Sequence, residues 1–399
     1  MIHAVRGFGL AATLVFISSF AVVPKARAAS TPTTAAYLYI QIQGPQGAVY
    51  GFRVSSTGQL SAISGSPFKP AGAIVGSTPT KFFTLGQTLI HSYGIGAGGA
   101  IGSQLAQEPV FDYQGSECGG GTSGQDGAVL DHTGKYIYVM LDDGFNGNET
   151  CGAYQSYIIN SDGSFSFDGE TQLTGPESSE SGGVDGFGLP SILGNESFAY
   201  ALYQAGGPPE NEFYLGLRRE GNGTLDYEPN IKVTSPADPN NYYVPLSFDA
   251  SGAGNFVAVG LYPGWSNPPQ LGVFTPDSNG NLSTTNTSSN MPTSSLDAPS
   301  TTFSPSGNFL VAYSAFGNET SGQGGIEIYK TNGAGPLTLQ QTLLMGMTVD
   351  QVAWDSSNHM YAISTKNNEL YVYTVTSTSV TQSQAWSIGA PYRMVVVSE

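Results

Sequence analysis

Twelve residues decide the fold: Ala128-Val-Leu-Asp-His-Thr-Gly-Lys-Tyr-Ile-Tyr-Val139. They read as an apolar strand, a tight turn at Gly134, and a second strand of aromatic and β-branched residues. The phrase returns as Ser191-Ile-Leu-Gly-Asn-Glu-Ser-Phe-Ala-Tyr-Ala-Leu202 and as Leu246-Ser-Phe-Asp-Ala-Ser-Gly-Ala-Gly-Asn-Phe-Val257. It returns again as Thr302-Phe-Ser-Pro-Ser-Gly-Asn-Phe-Leu-Val311 and Val352-Ala-Trp-Asp-Ser-Ser-Asn-His-Met-Tyr-Ala-Ile363. A period of roughly 50 to 64 residues means a repeat architecture, in which each unit buries its faces against its neighbours.

A second phrase follows each first one: strand, polar turn, strand. Tyr157-Ile-Ile-Asn-Ser-Asp-Gly-Ser-Phe165 and Val273-Phe-Thr-Pro-Asp-Ser-Asn-Gly-Asn-Leu282 are examples. Four strands per unit make a propeller blade. The units begin near Tyr37, Pro79, Gly127, Pro190, Pro245, Pro299 and Asp350. The sequence therefore predicts an all-β chain, a single seven-bladed β-propeller over 29–399. The first unit lacks an innermost strand. Tyr392-Arg-Met-Val-Val-Val397 is expected to supply it, so that the C-terminal strand closes the ring and removes its open edges. Two packed β-sandwiches would not give this period. Helix signals are absent from 29–399, where no window carries the i, i+3, i+4, i+7 pattern between caps.

The first 28 residues read as a signal peptide. Arg6 is basic, Gly9 to Val23 is apolar, and Ala26-Arg27-Ala28 is a small-x-small cleavage site. The expected location is secreted or periplasmic, with no membrane span in the mature chain. Removing this segment takes Arg6, Lys25 and Arg27 and leaves all 30 acidic residues. So acidic a surface disfavours nucleic acid, whose phosphates need clustered Lys and Arg. The expected partners are a small molecule, a carbohydrate or an envelope protein, bound by a monomer. The two cysteines, Cys118 and Cys151, fall in neighbouring loops and are expected to form a disulfide in an oxidising compartment.

The repeat resembles the lactonase-type seven-bladed propellers: 6-phosphogluconolactonase, the carboxymuconate-cyclising enzymes and the YVTN-repeat proteins. The matching pieces are Ser304-Pro-Ser-Gly-Asn-Phe-Leu-Val311, Asp131-His-Thr-Gly-Lys-Tyr-Ile-Tyr-Val139 and Gly65-Ser-Pro-Phe68. The resemblance implies the fold across most of the chain. It also implies a channel site of His, Arg and Glu. At those places this chain reads Gln125-Asp126-Gly127, Gly188-Leu189-Pro190, Gln204 and Ser314-Ala315-Phe316. The departures argue against lactonase chemistry of the family type.

Two functional readings follow. The first is a non-catalytic binding module. Long loops (114–126, 142–152, 174–189, 204–211, 234–244, 261–269, 286–298, 314–324) are expected on one face, and the tight turns on the other. The long loops carry acids and aromatics. Asp142, Asp143, Glu149, Tyr242, Tyr243, Tyr262 and Trp265 suit a sugar, whose hydroxyls bond to carboxylates and whose apolar faces pack on rings. Calcium is the candidate cation, on Asp142, Asp143, Asn146 and Asn148. The second reading is a lactone hydrolase or isomerase with a rearranged channel site around His91 and Glu108. A purely structural envelope protein is the third. His132, His359, Arg218 and Arg219 are expected at the surface. The disulfide expectation is tested by thiol titration of the unfolded, unreduced protein: it should titrate no thiol, against two after reduction.

Overall fold

The computed structural model describes residues 33–111, 124–146, 149–174, 184–195, 197–205, 214–228, 231, 243–253, 256–263, 268–315 and 323–398. All lie in the unit Thr33–Glu399. The signal-peptide expectation and Cys118 lie outside them. No described helix is long and apolar enough to cross a membrane.

Seven antiparallel sheets follow one another along the chain. Blade 1 contains Thr34–Ile42, Val49–Ser55 and Leu60–Ala62, and the C-terminal strand Pro391–Ser398 completes it on the inner side. Tyr39 pairs with Val395 and Gln41 with Arg393 in that closure. Blade 2 is Ala73–Ser77, Lys81–Leu85, Leu89–Ile95 and Ile101–Pro109. Blade 3 is Gly124–Leu130, Tyr136–Asn146, Glu149–Ile159 and Phe165–Thr174. In blade 4, Val184–Phe187 and Ser191–Ile192 both pair with Phe198–Ala205, followed by Tyr214–Arg219 and Leu225–Tyr227. Blade 5 is Tyr243–Ala250, Val257–Pro263, Gln270–Pro276 and Leu282–Ser283. Blade 6 is Ser300–Phe303, Phe309–Ser314, Gly325–Lys330 and Thr338–Leu343. Blade 7 is Gln351–Trp354, His359–Ser364, Glu369–Val375 and Val380–Ser387. The inner strands of adjacent blades lie against one another around the ring, and Pro391–Ser398 touches the first strands of both blade 2 and blade 7.

Two boundaries differ from the sequence reading. Blade 2 starts at Ala73, ahead of Pro79, because the turn at 78–80 follows its first strand. The expected long loop 142–152 is mostly strand: Asp142 pairs with Gly152 and Asn146 with Glu149. A polar sequence was read as loop, but ladder hydrogen bonds satisfy its backbone whatever the side chains.

The core is a set of clusters between blades rather than one centre. Ile137, Val139 and Leu141 pack towards blade 2, among Phe83, Leu85 and Ile90. Their alternates Tyr138 and Met140 pack towards blade 4, among Ala199, Ala201 and Leu217. Successive side chains leave a strand on opposite faces, and here both faces are buried. That is why second strands are apolar at nearly every position.

One device recurs at these interfaces. The Tyr39 hydroxyl donates to the Gly99 carbonyl (2.7 Å), Tyr138 to Gly223 (2.7 Å) and Tyr200 to Gly280 (2.8 Å). Each donor sits on the second strand of a blade, and each acceptor in the outer turn of the next. All three glycines have positive φ. A Cβ at Gly280 would lie 2.6 Å from the Phe198 ring, and one at Gly223 only 2.0 Å from the Tyr136 ring. The turn must therefore be glycine twice over, for its backbone and for the ring beneath it. Burial raises the Tyr200 hydroxyl far above its usual range, so it remains a donor at any working pH. Tyr200→Phe should cost about 1 kcal/mol of stability. Gly280→Ala should cost about 3 kcal/mol, because the methyl meets the Phe198 ring in a strained conformation. Urea unfolding midpoints check both.

Candidate functional site

A cavity of about 280 Å³ opens where first strands begin on the face that carries the blade-to-blade crossings. Pro45, Gln46, Ala73, Leu85, Gly86, Gln87, Gly127, Tyr392 and Arg393 line it. They come from the 43–48 and 86–88 connections and from the inner strands of blades 1, 2 and 3. Its size lies at the small end of ligand pockets, which run from about 300 Å³ upward.

Two amides brace this wall, Gln41 buried and Gln351 half-buried. Gln41 is fully buried. Its Nε2 donates to Pro45 O (2.9 Å) and Gly72 O (2.8 Å), and its Oε1 accepts from Ile74 N (3.0 Å). It thereby ties the 43–48 connection to the inner strand of blade 2. Gln351 does the same on the other side, donating to Met394 O (3.0 Å) and accepting from Met394 N (2.8 Å). The strand that carries Tyr392 and Arg393 is thus held by blade 7 through Gln351. Arg393 Nη1 donates to Ile74 O (3.3 Å), and its guanidinium lies 5.7 Å from the Tyr392 ring centre, within cation–π range. Glycine is required at Gly72, where φ is +87° and a Cβ would meet Leu85 O at 2.4 Å.

The structure does not bring His91 and Glu108 together. His91 is on the third strand of blade 2 and Glu108 on the outermost. Glu108 pairs with Ile90, one position from His91, so the two side chains leave opposite faces. His91 is buried, and its Nδ1 has no hydrogen-bond partner. Desolvation lowers its pKa, opposed in part by Gln104. Its Nε2 lies 3.3 Å from where a Cβ on Gly86 would sit, behind the cavity wall rather than in it.

Asp142, Asp143, Asn146 and Glu149 are strand residues of blade 3, and Tyr243 and Tyr262 strand residues of blade 5. Their side chains lie outside the described residues, as do Asn148, Tyr242 and Trp265 entirely. So does the Cys151 side chain. Among the described residues no three His, Cys, Asp or Glu side chains gather as a metal site.

Two surface expectations are corrected. His359 is buried, its Nδ1 2.7 Å from Asp355 Oδ2, and Tyr361 donates to the same oxygen (2.9 Å). Arg219 is buried against Asp131 (3.0 Å) and lies over the Tyr136 ring, whereas Arg218 pairs with Glu228 near the surface. Both corrections have one cause. A polar residue on these strands reads as exposed, but a neighbouring blade covers it: His359 lies against Gly58 of blade 1, and Arg219 meets Asp131 of blade 3.

No protein-family model matches the sequence, and no curated sequence matches it. Solved structures do match in fold. A Bacteroides uniformis protein provisionally named a 6-phosphogluconolactonase is 14% identical, with TM-score 0.62, over 92% of this chain and 100% of that one. The periplasmic gluconolactonase PpgL of Pseudomonas aeruginosa is 14% identical, with TM-score 0.59, over 91% of this chain and 99% of that one. AztD of Citrobacter koseri is 10% identical, with TM-score 0.51, over 92% of this chain and 99% of that one. The chain has the fold of the lactonase-type seven-bladed propellers.

Sequence reasoning misplaced one titratable group. Asp249 reads as a turn residue, yet the turn closes from Ser251 N to Phe256 O, two positions later. Asp249 instead sits in the first strand of blade 5 and bridges its neighbours. Its Oδ2 accepts from Phe303 N of blade 6 (2.6 Å), and its Oδ1 is 3.5 Å from Ser191 Oγ of blade 4. Desolvation raises its pKa to about 7, against the lowering pull of those two hydrogen bonds. The folded state then binds a proton more tightly than the unfolded chain. Its contribution to stability is full below about pH 4 and is lost as pH rises through about 7. Melting temperature should fall between pH 5 and 8, and Asp249→Asn should flatten that slope while matching the wild type near pH 4.

Proposed function

We propose that this chain is an exported, non-catalytic binding propeller that holds a small ligand in the cavity between blades 1, 2 and 3. One observation carries the reading. Among its described residues the cavity offers two amides, a ring, a guanidinium and backbone, and no His, Asp or Glu to act as general acid or base. Such a set orients a polar molecule without activating water. The cavity's position on the crossing face supports it, since a rigid scaffold carries its binding groups where its longer connections gather. The small-x-small site at Ala26-Arg27-Ala28 supports export, and the periplasmic setting of the gluconolactonase PpgL agrees. From the sequence alone we keep Asp142, Asp143, Glu149, Tyr242, Tyr243, Tyr262 and Trp265 as candidate contacts for a neutral sugar or calcium.

The test is thermal unfolding of mature 29–399 with monosaccharides, sugar acids, sugar lactones and calcium, with lactone hydrolysis followed in parallel. A ligand held only by the folded state raises the melting temperature. Gln87 is exposed and lines the cavity, so Gln87→Trp should fill it without touching the core. At least one sugar-sized compound should raise the melting temperature by a few degrees. Gln87→Trp should cancel that shift, and no lactone should turn over above background. Turnover above background, or a shift indifferent to Gln87→Trp, would sink the proposal.

A further inference from the structure

We infer that the ligand of this cavity is a small monoanionic carboxylic acid with a hydroxylated body, anchored on Arg393. The inference rests on the binding reading of the cavity and adds the chemical class.

The argument begins with charge. The chain holds 30 acidic residues against 13 basic ones. In such a surplus a guanidinium readily finds a carboxylate, as both arginines of blade 4 do: Arg218 meets Glu228 at 2.7 Å and Arg219 meets Asp131 at 3.0 Å. Arg393 has no carboxylate partner among the described residues. It has five N–H donors. Among the described residues their one protein acceptor is Ile74 O, at 3.3 Å. The residue directly opposite it, Gln41, turns its amide to Pro45, Gly72 and Ile74 instead.

The side chain is also pre-positioned. Its strand is clamped by Gln351 through both backbone groups of Met394, and the Tyr392 ring lies beside the guanidinium. An arginine fixed at its base, with donors left facing a cavity, is built for an anion brought from outside. Its planar fork matches the two oxygens of a carboxylate.

The rest of the lining narrows the class. Gln46 and Gln87 are neutral and offer both donors and acceptors, the complement of hydroxyl groups. Tyr392 is more than a third exposed and presents a face to the C–H side of a sugar-like body. A phosphate ester carries nearly two charges at neutral pH. It would bring a second charge that no lining residue neutralises, into the field of a chain with net charge −17. A single carboxylate is matched one to one. The volume of about 280 Å³ limits the body to monosaccharide size.

The experiment is calorimetric titration of mature 29–399 with D-gluconate, D-glucuronate, D-glucose and D-glucose 6-phosphate. Wild type, Arg393→Lys, Arg393→Gln and Gln87→Trp are compared, and each variant's unliganded melting temperature serves as the folding check. At least one of the two acids should bind at least tenfold more tightly than glucose. Arg393→Gln should erase that margin. Arg393→Lys should keep only part of it, because an ammonium lacks the fork. Equal binding of acid and neutral sugar, a preference for the phosphate ester, or acid binding indifferent to Arg393→Gln would each overturn the carboxylate assignment. Neutral sugar binding that Gln87→Trp abolishes would overturn it too, if neither acid binds, while leaving the cavity reading in place. Acid binding that survives Gln87→Trp would instead remove the cavity reading itself.

Discussion

The hydroxyl of a second-strand tyrosine, held by the carbonyl of a turn glycine in the next blade, sets the geometry on which everything else rests. At Tyr39, Tyr138 and Tyr200 the bond spans two blades and closes over a buried ring two positions earlier in the same strand. It fixes the distance and tilt between neighbours, because both ends are buried and neither group can return to water without loss. Blade 7 keeps the place but changes the chemistry. His359 there packs against Gly58 of blade 1, and Tyr361 turns to Asp355 instead. The seam is thus held by a local hydrogen-bond cluster, and the tyrosine no longer reaches across.

With inter-blade geometry fixed, the ring closes only if the chain's last strand reaches the first blade. That strand does more than remove an open edge. It delivers Tyr392 and Arg393 to a cavity whose other walls belong to blades 1, 2 and 3. Gln351 holds it through both backbone groups of Met394, and Gln41 ties the neighbouring 43–48 connection to blade 2. The site therefore exists only in the closed ring, and its cation is the last one in the chain.

Much of this architecture is legible along the chain. The tight turn and two apolar strands around Gly134 recur, and strands buried on both faces leave near-continuous apolar runs that no half-exposed sheet would show. Tyr392 to Val397 could be assigned to blade 1 because that unit lacked an inner strand. The site was not legible in the same way. Arg393 reads as part of a closing strand, because nothing local in Tyr392-Arg-Met-Val-Val-Val397 marks a binding residue. His91 and Glu108 are candidates for one channel site by residue type, whereas the pleat sends them to opposite faces. Asp249 was aligned to a turn two residues too early, since an insertion of small residues before Phe256 shifts where the hairpin closes.

By itself the sequence determined the all-β class, the repeat, the number of blades and the strand that closes them. These follow from periodicities of a few residues and from turn chemistry, which a chain carries wherever it folds. The tertiary structure decided which polar groups are buried, as for His359 and Arg219, and which residues meet at the cavity. Gln46 and Arg393 stand at opposite ends of the chain and share a wall. No local pattern encodes that meeting, because it depends on the summed rotation of seven blades bringing the last strand back beside the first.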